Sequence, residues 1–267
     1  MSNNHINKRV FLCLLFTLPT CSNAIELGIS GELMFFDYEE VDPLGNSLNR
    51  EKGLIPGLTF SGIHQYDNIS NTLELSIYDG QVDYNGQTQA GQPHQTTTEE
   101  TILRLTYRLG WSPASTRAAF YGSAYWQQWE RDIQATNGIA GLFERYEWWT
   151  VEAGVQAPFF RDDSQHLFLE MGMLATRNGD IMIDLGPFGY GSHTLNLGNS
   201  IGFASALKYQ LKQAQNGRLQ FGLQFKTWDF GRSNSKTISN GSSTITITEP
   251  ESTTYQTTIS ASYIHSF

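Results

Sequence analysis

Cysteine is almost missing. The 267 residues contain two, Cys13 and Cys21, so nothing beyond position 21 can form a disulfide, bind metal through a thiolate or act as a cysteine nucleophile. Charge is sparse at 16% and leans acidic, with a formal net value of −9. That balance excludes bulk electrostatic attraction to nucleic acid or anionic lipid. Long hydrophobic runs are also missing. No stretch after the N-terminal region approaches the roughly 18 apolar residues of a helical membrane span. His64, His94, His166 and His265 stand apart, without the spacing of metal ligands, so neither metal nor cofactor is expected.

What is present begins with Lys8 and Arg9, an apolar run over residues 10–18, Pro19, and then Ser22-Asn23-Ala24. A basic start, an apolar core too short to span a bilayer and small residues at the end describe a secretory signal peptide over 1–24. The expected mature domain is 25–267. Cleavage removes Lys8, Arg9 and no acid, moving the net charge from −9 to −11.

The last thirteen residues follow a two-residue period. Tyr255, Ile259, Ala261, Tyr263 and Phe267 share one face, and Gln256, Thr258, Ser260, Ser262 and Ser266 the other. Ile264 on the polar face and His265 on the apolar one break this pattern. Hydrophobic content of 39% and a mean hydropathy of −0.34 suit a membrane protein only if apolar residues occupy alternate positions. Period two recurs in ten segments, for example Leu103, Leu105, Tyr107, Leu109 and Trp111, or Leu219, Phe221, Leu223 and Phe225. Turns near 67–71, 112–116, 161–165 and 213–217 are short. Links over 41–53, 87–100, 135–144, 186–198 and 231–251 are long. The predicted fold is therefore all-β: a transmembrane antiparallel up-and-down β-barrel of about ten strands. Its termini and short turns lie in the periplasm and its long links outside the cell, in a Gram-negative outer membrane. Phe35, Phe36, Tyr125, Trp126, Trp148, Trp149, Trp228 and Tyr263 are expected to form interfacial girdles. The alternation at 244–248 is expected to extend the barrel wall. Tyr263 and Phe267 form the barrel-closing C-terminal signature.

The same alternation points Glu32, Glu74, Arg104, Arg108, Glu152, Glu170, Lys208 and Lys226 into the lumen, because an Arg or Lys facing lipid at mid-depth costs about 2–4 kcal/mol. A ten-stranded lumen is only slightly wider than one that side chains can fill. Paired Glu–Arg and Glu–Lys groups are expected to close most of it, and a narrow pore is the alternative.

Two short segments carry a resemblance to a known family. The third strand ends Val82-Asp83-Tyr84-Asn85-Gly86, and the fourth long link reads Tyr190-Gly191-Ser192-His193. Ten strands with long external links resemble the omptin proteases and the ten-stranded adhesins. Omptins carry an Asp-x-Asp pair and an Asp-x-His pair, thought to activate a water across the barrel mouth. Asp83 matches the first aspartate and His193 the histidine, which makes them the catalytic candidates. Asn85 and Gly191 stand where the second acid of each pair belongs, and neither can take a proton or orient an imidazole. Lipid A chemistry by Ser192 and His193 is disfavoured, because neighbouring strand residues point to opposite faces. The expected role is that of a monomeric structural or surface-interaction barrel, adhesin-like in class. The expected partners are outer-membrane lipid, the barrel-assembly machinery acting on the C-terminal strand, and an extracellular ligand at the external links. An omptin-like hydrolase is the enzymatic alternative.

Overall fold

Alternating sequence becomes alternating surface once the strands pair. In the computed structural model, which describes residues 24–88, 91–136, 138–213 and 216–267, ten strands close into one antiparallel barrel. They are β1 (Ala24–Val41), β2 (Ser47–Tyr66), β3 (Ile69–Gln87), β4 (Pro93–Trp111), β5 (Ala119–Ile133), β6 (Leu142–Arg161), β7 (Gln165–Leu185), β8 (Gly191–Lys212), β9 (Gly217–Phe230) and β12 (Glu251–Ser266). Each pairs with its sequence neighbours, and β12 closes the ring against β1 in the register Leu33↔Ile259 and Tyr263↔Ile29. β10 (Lys236–Ser239) and β11 (Thr244–Ile247) pair only with each other. The expected signal segment, Ala24 apart, lies outside the described residues.

The outer face divides into two zones. Around its lower part run exposed apolar side chains, among them Leu27, Ile29, Leu33 and Phe35 on β1, Leu73, Leu75 and Ile77 on β3, and Phe221 and Leu223 on β9. Beyond Phe35 the same face carries Asp37 and Glu39, beyond Ile77 it carries Asp79, Gln81 and Asp83, and beyond Phe225 it carries Thr227 and Asp229. A transmembrane strand needs about 9–11 residues, and these strands run to 22. The wall therefore continues well past the apolar band on the external side.

That length corrects the reading of the links. Most of 41–53, 87–100 and 186–198 is strand, the first tip is only 42–46, and of 135–144 only the end from Leu142 on is strand. The fifth link does not extend the wall at 244–248. Its strands fold back as a separate hairpin. Tyr190 and Leu142, read as loop residues, pack against the lumenal core, whereas Phe188 stays exposed on its tip.

Side-chain volume inside the ring is matched locally. A Cβ on Gly57 would sit 2.2 Å from the Tyr78 ring, and one on Gly154 or Gly172 would meet the Tyr121 hydroxyl at 2.6 Å. These glycines let large tyrosines lie flat across neighbouring strands.

Candidate functional site: a layered lumen

The lumen has three layers. The periplasmic layer is a polar cavity of about 490 Å³. Arg108 donates to both oxygens of Glu170 (3.0 and 2.9 Å), and Lys208 reaches the same carboxylate at 3.2 Å. Lys226 lies 3.5 Å from Glu152, which also accepts a hydrogen bond from Tyr121. Arg218 pairs with Glu26, and Tyr78 donates to Glu32. Glu74 lines the same cavity. At its upper edge Arg104 bonds two carboxamide oxygens, Gln127 on β5 (2.7 Å) and Gln256 on β12 (3.2 Å). All eight residues of the expected charge network thus face the lumen, but they line a cavity rather than close the barrel by themselves.

The next layer is apolar. Phe36, Ile102, Trp129, Trp148, Leu174 and Trp228 are buried within the barrel and form one apolar cluster. Trp148 meets Trp228 at 6.0 Å and Phe230 edge-on at 5.4 Å, and Phe36 meets Trp129 edge-on at 5.4 Å. This corrects the girdle assignment. Phe36, Tyr125, Trp148 and Trp228 point inward and are buried, while Phe35, Trp149 and Tyr263 face outward. Where Phe35-Phe36 or Trp148-Trp149 sit side by side, alternation sends one ring to lipid and the other to the core.

Above the aromatic layer lies a charged cluster that the sequence reading missed. Arg131 on β5 is completely buried and donates to Glu51 (2.9 and 3.1 Å), Glu144 (2.6 Å), Glu40 (3.3 Å) and the Tyr146 hydroxyl (2.8 Å). Tyr38 stacks beneath the guanidinium at 4.6 Å and donates to Glu40 at 2.8 Å. Thr98 donates to Glu51, and Trp129 donates to the buried Glu100. A fifth carboxyl, Glu249, comes from the fifth link and accepts from Tyr146 at 2.7 Å. Five acids facing one guanidinium in a space shut off from water cannot all carry charge at once. Glu249 lies outside the barrel strands, and burial followed by repulsion from Glu40 and Glu144 raises its carboxyl well above the ordinary range. The β10–β11 hairpin covers the cluster. Ile238 and Ile247 are buried with Ile183, Leu185, Leu195 and Leu197 at the external ends of β7 and β8.

The catalytic candidates do not converge. Asp83 is exposed on the outer wall of β3, in register with Lys52 and Thr97. His193 is half-buried on β8, five strands round the ring, and its Nε2 meets the Tyr190 carbonyl at 2.9 Å. The acids nearest in sequence give no help, because Ser192, not His193, bonds Asp184 (3.1 Å), and Asp180 is exposed. Among the described residues no group of three His, Cys, Asp or Glu is placed to hold a metal ion.

No protein-family model and no curated protein matches the chain in sequence. In fold it is similar to the outer-membrane protease OmpT from Escherichia coli, with a TM-score of 0.56 and 11% identity over 92% of this chain and 96% of that one. Weaker likenesses include Neisserial surface protein A (TM-score 0.38, 9% identity, 90% of this chain and 97% of that one). Another is the toluene transporter TodX from P. putida (TM-score 0.35, 10% identity, 92% and 90%). Identities this low carry the architecture alone. With its closed ring and apolar outer band, the chain is a ten-stranded outer-membrane β-barrel of the Gram-negative envelope.

Proposed function

We propose that this barrel is a closed scaffold which presents its external wall and tips for surface interaction, adhesin-like in class. The observation that carries this reading is the packing of the external half of the lumen, where Phe36, Trp129, Trp148 and Trp228 of the aromatic layer and Ile238 and Ile247 of the fifth-link hairpin are buried in one cluster. Chemistry open to a partner then lies on the outside: the polar upper wall, and tips that carry Leu44 (86% exposed) and Phe188 (46%). The terminal strand ending on Phe267 would serve the assembly machinery, and the barrel would act as a monomer. Cells expressing the chain should attach to immobilised matrix proteins or glycans, and replacing tips 42–46 and 186–190 with Gly-Ser should abolish attachment while the barrel still assembles. Equal attachment by expressing and non-expressing cells would reject the proposal. Peptide hydrolysis by the folded barrel that His193→Ala removes would replace it with a hydrolase reading.

A further inference from the structure

We propose that the fifth external link is a lid, held shut by the Glu249 carboxyl and released as pH rises.

Residues 233–249 form a self-contained arm. β10 and β11 pair from Lys236↔Ile247 to Ser239↔Thr244. The base is tied by Ser233 N–H to the Glu249 carbonyl (3.0 Å), Glu249 N–H to Ser233 Oγ (2.8 Å) and Thr248 Oγ1 to Ser235 Oγ (2.7 Å). Gly231, where an added Cβ would meet open space, and Pro250 join this arm to β9 and β12. The arm adds no strand to the barrel ladder, so it can lift without breaking wall hydrogen bonds. Its seat consists of Ile238, Ile245 and Ile247 on the β7–β8 core, a Tyr190–Ser243 hydroxyl contact (2.7 Å), a long contact from Lys236 Nζ to the Thr194 carbonyl (3.5 Å), and Glu249 on Tyr146.

Of these contacts, only that of Glu249 depends on a titrating carboxyl. The ionisable side chains facing the lumen around it are Tyr38 and Glu40 on β1, Glu51 on β2, Tyr84 on β3, His94 and Glu100 on β4, Arg131 on β5, Glu144 and Tyr146 on β6, and His193 at the rim of β8. At this level β7, β9 and β12 offer Ile181, Ile183, Leu185, Phe230 and Ser252, none of which titrates. Arg131 is already engaged by Glu40, Glu51 and Glu144. A proton lost from Glu249 therefore leaves a buried carboxylate facing like charges, and lifting the arm returns it to water. The sign follows by linkage. The closed state holds the carboxyl's proton more tightly than the open state, so closure is most favoured at low pH. The penalty on closure begins as pH passes the ordinary Glu range, about 4.3, and is complete above the raised value.

The test uses single cysteines at Ile247→Cys on the lid and Leu195→Cys on its seat, in a chain whose described residues contain no other thiol. Labelling by a charged thiol reagent is normalised at each pH to Ser242→Cys at the exposed hairpin tip. Between about pH 5 and about pH 9 the normalised rate at both buried sites should rise by about tenfold or more. Glu249→Gln should abolish that rise. A rate independent of pH, whether slow or fast, or an equal rise with Glu249→Gln, overturns the proposal.

Discussion

Arg131 holds the external cluster together through Glu40, Glu51, Glu144 and Tyr146. Removing one partner of a buried ion pair leaves uncompensated charge, at a cost of about 3–5 kcal/mol. Arg131→Ala should therefore lower the unfolding free energy of the barrel, read from its urea midpoint in detergent or lipid, by about that amount. A change within experimental scatter would show that water reaches the cluster. The lumenal set from Glu32 to Lys226 was legible from parity, since a charge inside an alternating apolar strand has only one affordable side. Arg131 and its acids follow the same parity, with Glu40 eight residues from Glu32, Glu100 four from Arg104 and Glu144 eight from Glu152. Glu51, Glu100 and Glu144 were missed because their stretches were read as links, and Glu40 and Arg131 because they stand at the edges of those links. Asp83 was legible as an acid near the rim, but its outward direction became clear only once β3 continued unbroken through it.

At the scale of the strand, facing direction decides the cost of a charge. Leu33, Ile259 and Leu223 form a row across β1, β12 and β9 in the apolar band, whereas Ser260, next to Ile259, lines the polar cavity. Ile259→Arg should destabilise the folded barrel by about 2–4 kcal/mol, and Ser260→Arg by clearly less, read as the difference in unfolding midpoints in lipid vesicles. Equal costs would contradict the assignment of faces. The fifth link shows the limit of period-two reading. Residues 244–247 of that stretch do form a strand, but its partner is the four-residue β10, too short to stand out by alternation. Where the hairpin seats is set by contacts distant in sequence, with Ile183, Leu185, Leu195 and Leu197, and a local pattern does not carry them.

For the whole molecule, the ten-strand ring was readable because closure, the apolar band and terminal pairing all rest on one periodicity. The interior was less so, because a tryptophan in an alternating strand reads the same whether it meets lipid or core. The aromatic layer should dominate stability as well as closure, with Trp148→Ala costing about 3–5 kcal/mol in lipid-vesicle unfolding; a cost near zero would mean that Trp148 is not packed. Single-channel recording of the purified barrel in planar bilayers tests the closed lumen most directly. The wild-type protein should show no steady current, and the double substitution Trp148→Ala with Trp228→Ala, combined with deletion of residues 233–249, should show one. A stable open conductance from the wild-type barrel would contradict the account.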